Sequence, residues 1–274
     1  MLHGHAANVD RFDALADCYD AARPTPPQAV VDLLRAYAKP ARFGGPLSLV
    51  VDLGCGTGLS TRVWAGGARA VVGVEPNAEM RAKAGAASRH LPNVSFRDGS
   101  SSETGLPAGA ADIVTCSQSF HWMEPGPTLA EADRLLRPGG VFAAIDCDWP
   151  PVVDWRVDRA YLAMKDATDA LQARHPGIRV RRWPKDGHLG SLRECGRFAF
   201  VREMLAHGEE TGSAERLVNL ALSQGGVAAL LRFGLTEEEL GLAELRRVAR
   251  AVLGDGCVPF TFCYRVRVGV KAPV

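Results

Sequence analysis

The hydrophobic pattern along the chain changes its period. Between residues 47 and 146, short runs that are apolar on consecutive positions alternate with stretches that are apolar every third or fourth residue. Consecutive apolar positions mark strands covered on both faces, and the wider spacing marks helices with one buried stripe. The pattern predicts strands at 47–53, 70–75, 94–97, 111–116 and 141–146, with helices near 58–65, 77–88 and 127–137. In the last helix Leu129, Ala132, Leu135 and Leu136 share a face, and Pro138-Gly139-Gly140 supplies the stop. Repetition of strand and helix predicts a doubly wound α/β sheet.

The flanks follow other rules. Val30, Leu33, Leu34 and Tyr37 make one apolar helical face, which predicts a helix over 26–38 packed on the sheet, after a second helical segment at 12–23 that would fold over a ligand site. Residues 150–198 break the rhythm with Trp149-Pro150-Pro151, Trp155, Trp183-Pro184 and many basic side chains, and are expected to form an insertion or cap. Thr236-x-x-Glu239 reads as a capping box, stapled by Leu235 and Leu240, opening a helix with Leu245, Val248, Ala249 and Val252 on its apolar face. From Phe260 to Lys271 apolar and polar residues alternate strictly, predicting an antiparallel, half-exposed strand that pairs with 198–205. The expected division is a lid (1–40), an α/β core (41–148), a cap (149–197) and a C-terminal completion of the sheet (198–274).

With 274 residues and 47% apolar content the chain can bury a full core. A formal net charge of +1 argues against a nucleic acid or an anionic membrane as partner. The seven cysteines form no Cys-x-x-Cys pair and read as reduced thiols, the absence of a signal-like or spanning apolar run adds no membrane, and a cytoplasmic protein is expected. His3 and His5 lack further ligands, so no metal is expected.

In an open parallel sheet the ligand lies beyond the carboxyl ends of the strands. Gly54, Gly56 and Gly58 follow the first strand, Glu75 ends the second, 23 positions after Asp52, and Asp98-Gly99-Ser100 follows the third. Glycines there let backbone approach a ligand, and a carboxylate at the end of the second strand suits two ribose hydroxyls. Leu59 breaks the Gly-x-Gly-x-x-Gly spacing of a dinucleotide site, and Asp98 is placed to accept from an adenine amino group.

Val51-Asp52-Leu53-Gly54-Cys55-Gly56-Thr57-Gly58, Val72-Gly73-Val74-Glu75-Pro76-Asn77-Ala78-Glu79-Met80, Asp112-Ile113-Val114 and Leu135-Leu136-Arg137-Pro138-Gly139-Gly140 together resemble the successive motifs of class I S-adenosylmethionine-dependent methyltransferases. Tyr19-Asp20-x-x-Arg23-Pro24 and Ser117-Gln118-Ser119-Phe120-His121-Trp122 are similar to a narrower small-molecule group, the trans-aconitate type, also called type 11. The resemblance implies a Rossmann-like, seven-stranded, mostly parallel sheet with an antiparallel last strand, and S-adenosylmethionine converted to S-adenosylhomocysteine. It implies that backbone at Asp52, Gly54, Cys55 and Gly56 holds the methionine part and Glu75 the ribose. Pro76, Asn77 and Met80 would flank the adenine, with Asp98, Gly99 and Ser100 at its edge. Ser117 and Gln118 would lie beside the sulfonium, with Arg23 on the cofactor carboxylate and Tyr19 over it.

His121 is the candidate general base, since imidazole titrates near neutrality and the residue follows the fourth strand. His188 is a weaker candidate. The basic run from Arg174 to Arg193 favours an anionic small molecule as acceptor if it lines the pocket. Other readings are methylation coupled to cyclisation or rearrangement, a nicotinamide oxidoreductase, a thiol-dependent arsenic methyltransferase using Cys116, Cys147 and Cys195, and a non-catalytic binding protein. Whether the chain forms homo-oligomers is left open.

Overall fold

The computed structural model describes residues 22–38, 45–175 and 182–273. In chain order they form α1 (Gln28–Ala38), β1 (Leu47–Leu53), α2 (Leu59–Arg62), β2 (Ala68–Val74), α3 (Ala78–Ala87), β3 (Val94–Arg97), β4 (Ala111–Ser117), α4 (Pro125–Leu135) and β5 (Leu136–Cys147). Then come α5 (Trp155–Arg174), α6 (His188–Glu194), β6 (Phe198–Gly212), α7 (Ala214–Leu222), α8 (Gly225–Arg232), α9 (Leu242–Leu253) and β7 (Val258–Lys271). The described residues divide into two compact units, and β6 and β7 each run from one into the other.

The larger unit holds 25–38, 45–147, 182–206 and 264–273. Its sheet has seven strands in the order β3-β2-β1-β4-β5-β7-β6. β1 to β5 pair in parallel, and β7 lies antiparallel to β5, with Ala143 opposite Val268 and Cys147 opposite Tyr264. Strand order reverses between β1 and β4, which opens a crevice at their carboxyl ends, the place where such sheets bind ligands. The core under α4 and α6 gathers Val51, Leu53, Val114, Phe120, Phe142 and Leu192, all essentially inaccessible to solvent.

Several boundaries differ from the pattern. The helix α1 buries Val30, Val31, Leu34 and Ala38, rotated away from the expected Leu33 and Tyr37; Tyr37 instead stacks on Phe200, ring centroids 5.7 Å apart. The strand β5 begins at Leu136, so Pro138-Gly139-Gly140 lies within its entry rather than after a helix. The reason is a clamp at the amino end of the sheet. Asp112 accepts from the backbone N–H of Ser48 at 2.5 Å and of Leu49 at 3.1 Å, while Arg137 donates to Asp112 at 2.6 Å and to the Ala38 carbonyl at 2.6 Å. Two of the quoted motifs therefore hold the far end of the sheet. Arg267, expected on the exposed face of the last strand, is 3% exposed because two carboxylates, Asp146 and Glu203, receive its guanidinium.

The smaller unit holds 22–24, 148–175 and 207–263 among the described residues. Here α5 packs on α8 and α9, and α7 on α8 and α9. The segment expected as an insertion or cap contains α5, a 20-residue helix whose N-cap Asp154 accepts from the Arg156 amide and whose Val157, Tyr161, Met164 and Thr168 are buried. The Thr236–Glu239 box forms, with the Glu239 carboxylate accepting from the Thr236 amide at 2.8 Å, yet it closes a turn; α9 starts at Leu242, after Gly241 in the left-handed region. Among the described residues no helix is long and apolar enough to cross a membrane, and no group of three or more His, Cys, Asp or Glu is placed to hold a metal ion.

Candidate functional site

The carboxyl end of β1 bends back on β2. The amides of Gly54 and Cys55 both donate to the Val74 carbonyl, at 2.8 and 3.2 Å. Gly54 sits at φ +64°, and a methyl group there would lie 2.5 Å from Met123 Cε and 2.9 Å from Ser119 Cβ. Gly56, at φ +55°, faces open space except for Met80 Sδ, 3.5 Å from where a Cβ would stand. The first glycine lets the turn pack, and the second leaves room.

Glu75 is fastened by backbone alone. One oxygen accepts from the Gly56 amide at 2.9 Å and the other from the Asn77 amide at 3.0 Å. Burial pushes its pKa up, and the amides of Asn77 and Gly56, with Arg81, pull it partly back. Each oxygen keeps lone pairs beyond the one its amide uses, so the carboxylate can still accept from a diol. Asn77 caps α3 by accepting from the Met80 amide at 2.9 Å, which buries Met80 against the turn.

Asp52 is fully buried and accepts from the hydroxyls of Ser60, Thr61 and Thr115 at 2.6, 2.8 and 2.8 Å. Its carboxylate is satisfied inside the protein, so any ligand contact there falls to backbone. Burial pushes the pKa of Asp52 upward and that of the Cys55 thiol well upward, which makes Cys55 an inert packing group. Cys116 lies in the same condition.

Asp98 is largely exposed and pairs with Arg81 at 2.8 Å. Gly99 packs on Val74, and Ser100 forms an isolated bridge with Glu103. Arg81 was not among the expected site residues, yet it also donates to the carbonyls of Glu75 and Pro76 at 2.7 and 2.8 Å and so ties the ends of β2 and β3 together. Its position one turn beyond the cap Asn77 was the available signal.

Beyond β4, Ser117 ends the strand and Gln118 takes φ +53°, a left-handed conformation rare for a residue with a side chain. Ser119 donates to the Leu53 carbonyl at 2.7 Å. Gln118 Oε1 accepts from Lys185 Nζ at 2.9 Å, while its buried Nε2 has no hydrogen-bond partner among the described residues. His121 sits in a single 3-10 turn, Phe120–Trp122, its ring 4.8 Å from Trp122, and its carbonyl accepts from the Trp183 amide. Burial, followed by the charge of Lys185, lowers its pKa well below the ordinary value, so at neutral pH the imidazole is uncharged.

Asp146, near the end of β5, anchors this region. It accepts from Arg267 at 2.7 Å and pairs with His188 Nδ1 at 2.9 Å, with Lys185 3.2 Å away and His121 Nδ1 3.9 Å away. Burial alone would raise its pKa; the His188 bond and the charge of Lys185 more than reverse that and hold it well below the carboxylate range. His188 is 1% exposed and edge-on to Phe120, whereas the His121 side chain keeps 13% exposure. Arg182 lies over the Trp122 ring at 4.4 Å. None of Asp146, Arg267 and Glu203 was expected at the site, because each reads as an ordinary strand residue.

Arg23 lies in the smaller unit, where it donates to the Ser223 hydroxyl at 2.8 Å and carbonyl at 2.7 Å and stacks 5.0 Å over Trp149. Tyr19, most of the expected lid, Arg179 and Arg181 lie outside the described residues.

The family model for a methyltransferase domain matches residues 51–144. The nocamycin O-methyltransferase of Saccharothrix syringae is 33% identical over 231 residues, covering 78% of this chain and 80% of that one. The trans-aconitate 2-methyltransferase of Deinococcus radiodurans is 40% identical over 101 residues, 36% of this chain and 37% of the relative. A solved structure of a proposed type II methyltransferase from Anaeromyxobacter dehalogenans superposes with a TM-score of 0.64 at 27% identity, over 92% of this chain and 99% of that one. The chain spans about half the length, 49%, of other curated relatives that it matches.

Proposed function

Since the chain belongs to the class I S-adenosylmethionine-dependent methyltransferases, with S-adenosylmethionine as its methyl donor, we propose that it methylates a hydroxyl oxygen of a small organic anion. The observation that carries the cofactor side of this reading is Glu75, a half-buried carboxylate held by the amides of Gly56 and Asn77 with acceptor capacity left over. That donor set fits the cofactor: Glu75 would take the ribose diol, and the amides and open flank at Gly54, Cys55 and Gly56 the methionine end. Pro76, Asn77 and Met80 would line the adenine, with Asp98, Gly99 and Ser100 bordering it and Asp52 supporting the turn from beneath. Ser117 and Gln118 would border the reacting centre. When bound, S-adenosylmethionine supplies a methyl group on a positively charged sulfur, already activated for displacement.

The residues of the chain then align and dry the acceptor, an effect worth up to about 7–11 kcal/mol when geometry is good. Lys185 and Arg182 offer positive charge to an acceptor anion, and the two relatives named above, one an O-methyltransferase and one acting on trans-aconitate, support an oxygen and an organic anion respectively. His121, neutral and partly accessible, accepts the hydroxyl proton, so that the oxygen attacks with a full lone pair.

Calorimetry with S-adenosylhomocysteine tests the first half, with micromolar binding expected; no binding would remove the reading. Screening small hydroxy acids with labelled methyl donor tests the second, and transfer confined to neutral amines would remove the proposed acceptor.

A further inference from the structure

Three nitrogens around the Asp146 carboxylate are buried without a hydrogen-bond partner among the described residues: His121 Nδ1, His188 Nε2 and Gln118 Nε2. Such atoms are rare in folded proteins and call for a physical reason. The two oxygens of Asp146 divide their neighbours. Oδ2 takes Arg267 and His188, at 2.7 and 2.9 Å. Oδ1 faces Lys185 Nζ at 3.2 Å and His121 Nδ1 at 3.9 Å.

Such a carboxylate adds little stability for its desolvation cost, since a buried ion pair rarely does better than apolar packing of the same volume. It does have a directional effect on His121. A ring nitrogen that presents its lone pair to an ionised carboxylate is repelled, and one that presents N–H is attracted. We propose that Asp146 is a positioning residue that holds His121 as the Nδ1–H tautomer, leaving Nε2 to receive the acceptor proton. The proposal deepens the reading of His121 as base and rests on it.

In the step itself the hydroxyl proton passes to Nε2, and the oxygen pair forms the new carbon–oxygen bond as the carbon–sulfur bond breaks. The resulting imidazolium points its Nδ1–H at Asp146. His188 cannot serve in its place, being 1% exposed and already bonded through Nδ1. Among the described residues, the charged and titratable groups that face His121 are Lys185, Asp146, Arg182 and His188; Arg267 and Glu203 act on it through Asp146. Lys185 and Arg182 favour the neutral ring, and Asp146 favours the charged one. A base in this balance stays uncharged down to a pH below the ordinary imidazole value.

Long-range proton–nitrogen NMR of the labelled protein with S-adenosylhomocysteine reads the tautomer directly, His121 being assigned by the signals lost in His121→Asn. The Nδ1–H pattern is expected for His121 near pH 7.5. In Asp146→Asn the titration midpoint of His121 should fall and Nε2–H should gain population. In Lys185→Met, a change at a partly exposed side chain, the midpoint should rise with Nδ1–H retained. Nε2–H in the wild type, or a midpoint that moves in neither variant, overturns the proposal. If Asp146→Asn does not fold, the wild-type tautomer and the Lys185→Met midpoint still decide. Calorimetry of S-adenosylhomocysteine on the same samples reports the cofactor reading separately, so failure of one is not failure of the other.

Discussion

The ends of β1–β3 and the ends of β4–β5 border the same crevice and are built by opposite means. At β1–β3 a carboxylate is held by backbone amides and glycines clear the space, so the surface is set by chain geometry, with Arg81 and Asp98 paired at its margin. At β4–β5 the surface is a network of side chains in which Asp146, Lys185, His188, Arg267 and Glu203 contact one another around His121. Backbone amides recognise a constant ligand and tolerate changes in neighbouring side chains. A network of charges is sensitive to every member, which is why the proposed acceptor and proton-handling roles are placed there.

The contrast can be broken or sharpened by substitution. Glu75→Ala removes the proposed acceptor for two ribose hydroxyls, each such bond being worth about 1.5–3 kcal/mol, so S-adenosylhomocysteine affinity should fall by about 100-fold or more in calorimetry. A loss below about fivefold would mean that the β1–β3 end does not depend on its carboxylate. Gly54→Ala places a methyl 2.5 Å from Met123 Cε in a left-handed backbone, and should cost about 2–4 kcal/mol of stability in urea unfolding. Unchanged stability would show that the turn is looser than its packing indicates. Lys185→Met should raise KM for an anionic acceptor about tenfold, about 1.4 kcal/mol for one half-exposed charge, and leave calorimetric S-adenosylhomocysteine affinity alone. An equal loss in both measurements would erase the distinction between the two ends.

The two ends also differ in how far they could be read from the chain. Asp52 meets Ser60 and Thr61 eight and nine positions away, and Gly56 meets Glu75 at nineteen. Such contacts lie within one strand-turn-helix-strand unit, where periodicity and turn chemistry constrain position, and the glycines and Glu75 were expected where they stand. Asp146 meets His188 at 42 positions and Arg267 at 121, and Lys185 meets Gln118 at 67. No local pattern distinguishes Arg267 from Arg265 on an alternating strand: Arg265 stands opposite Asp146 in register, yet it is Arg267 that donates to the buried carboxylate. For the same reason the Thr236 box was legible as chemistry but not as a helix start, because the turn it closes ends in left-handed Gly241.

The chain by itself determined the parallel α/β core, the antiparallel last strand and the glycines and carboxylate at the ends of β1 and β2, since these depend on hydrophobic period, turn residues and spacing within a few dozen positions. Only the tertiary structure decided that Asp112 and Arg137 clamp the far edge, that Asp52 is closed off by hydroxyls, and that Asp146 gathers His121, His188, Lys185 and Arg267. Those outcomes follow from which distant side chains are buried together. Burial makes an unpaired charge costly, and the partner that relieves that cost is chosen by proximity in space.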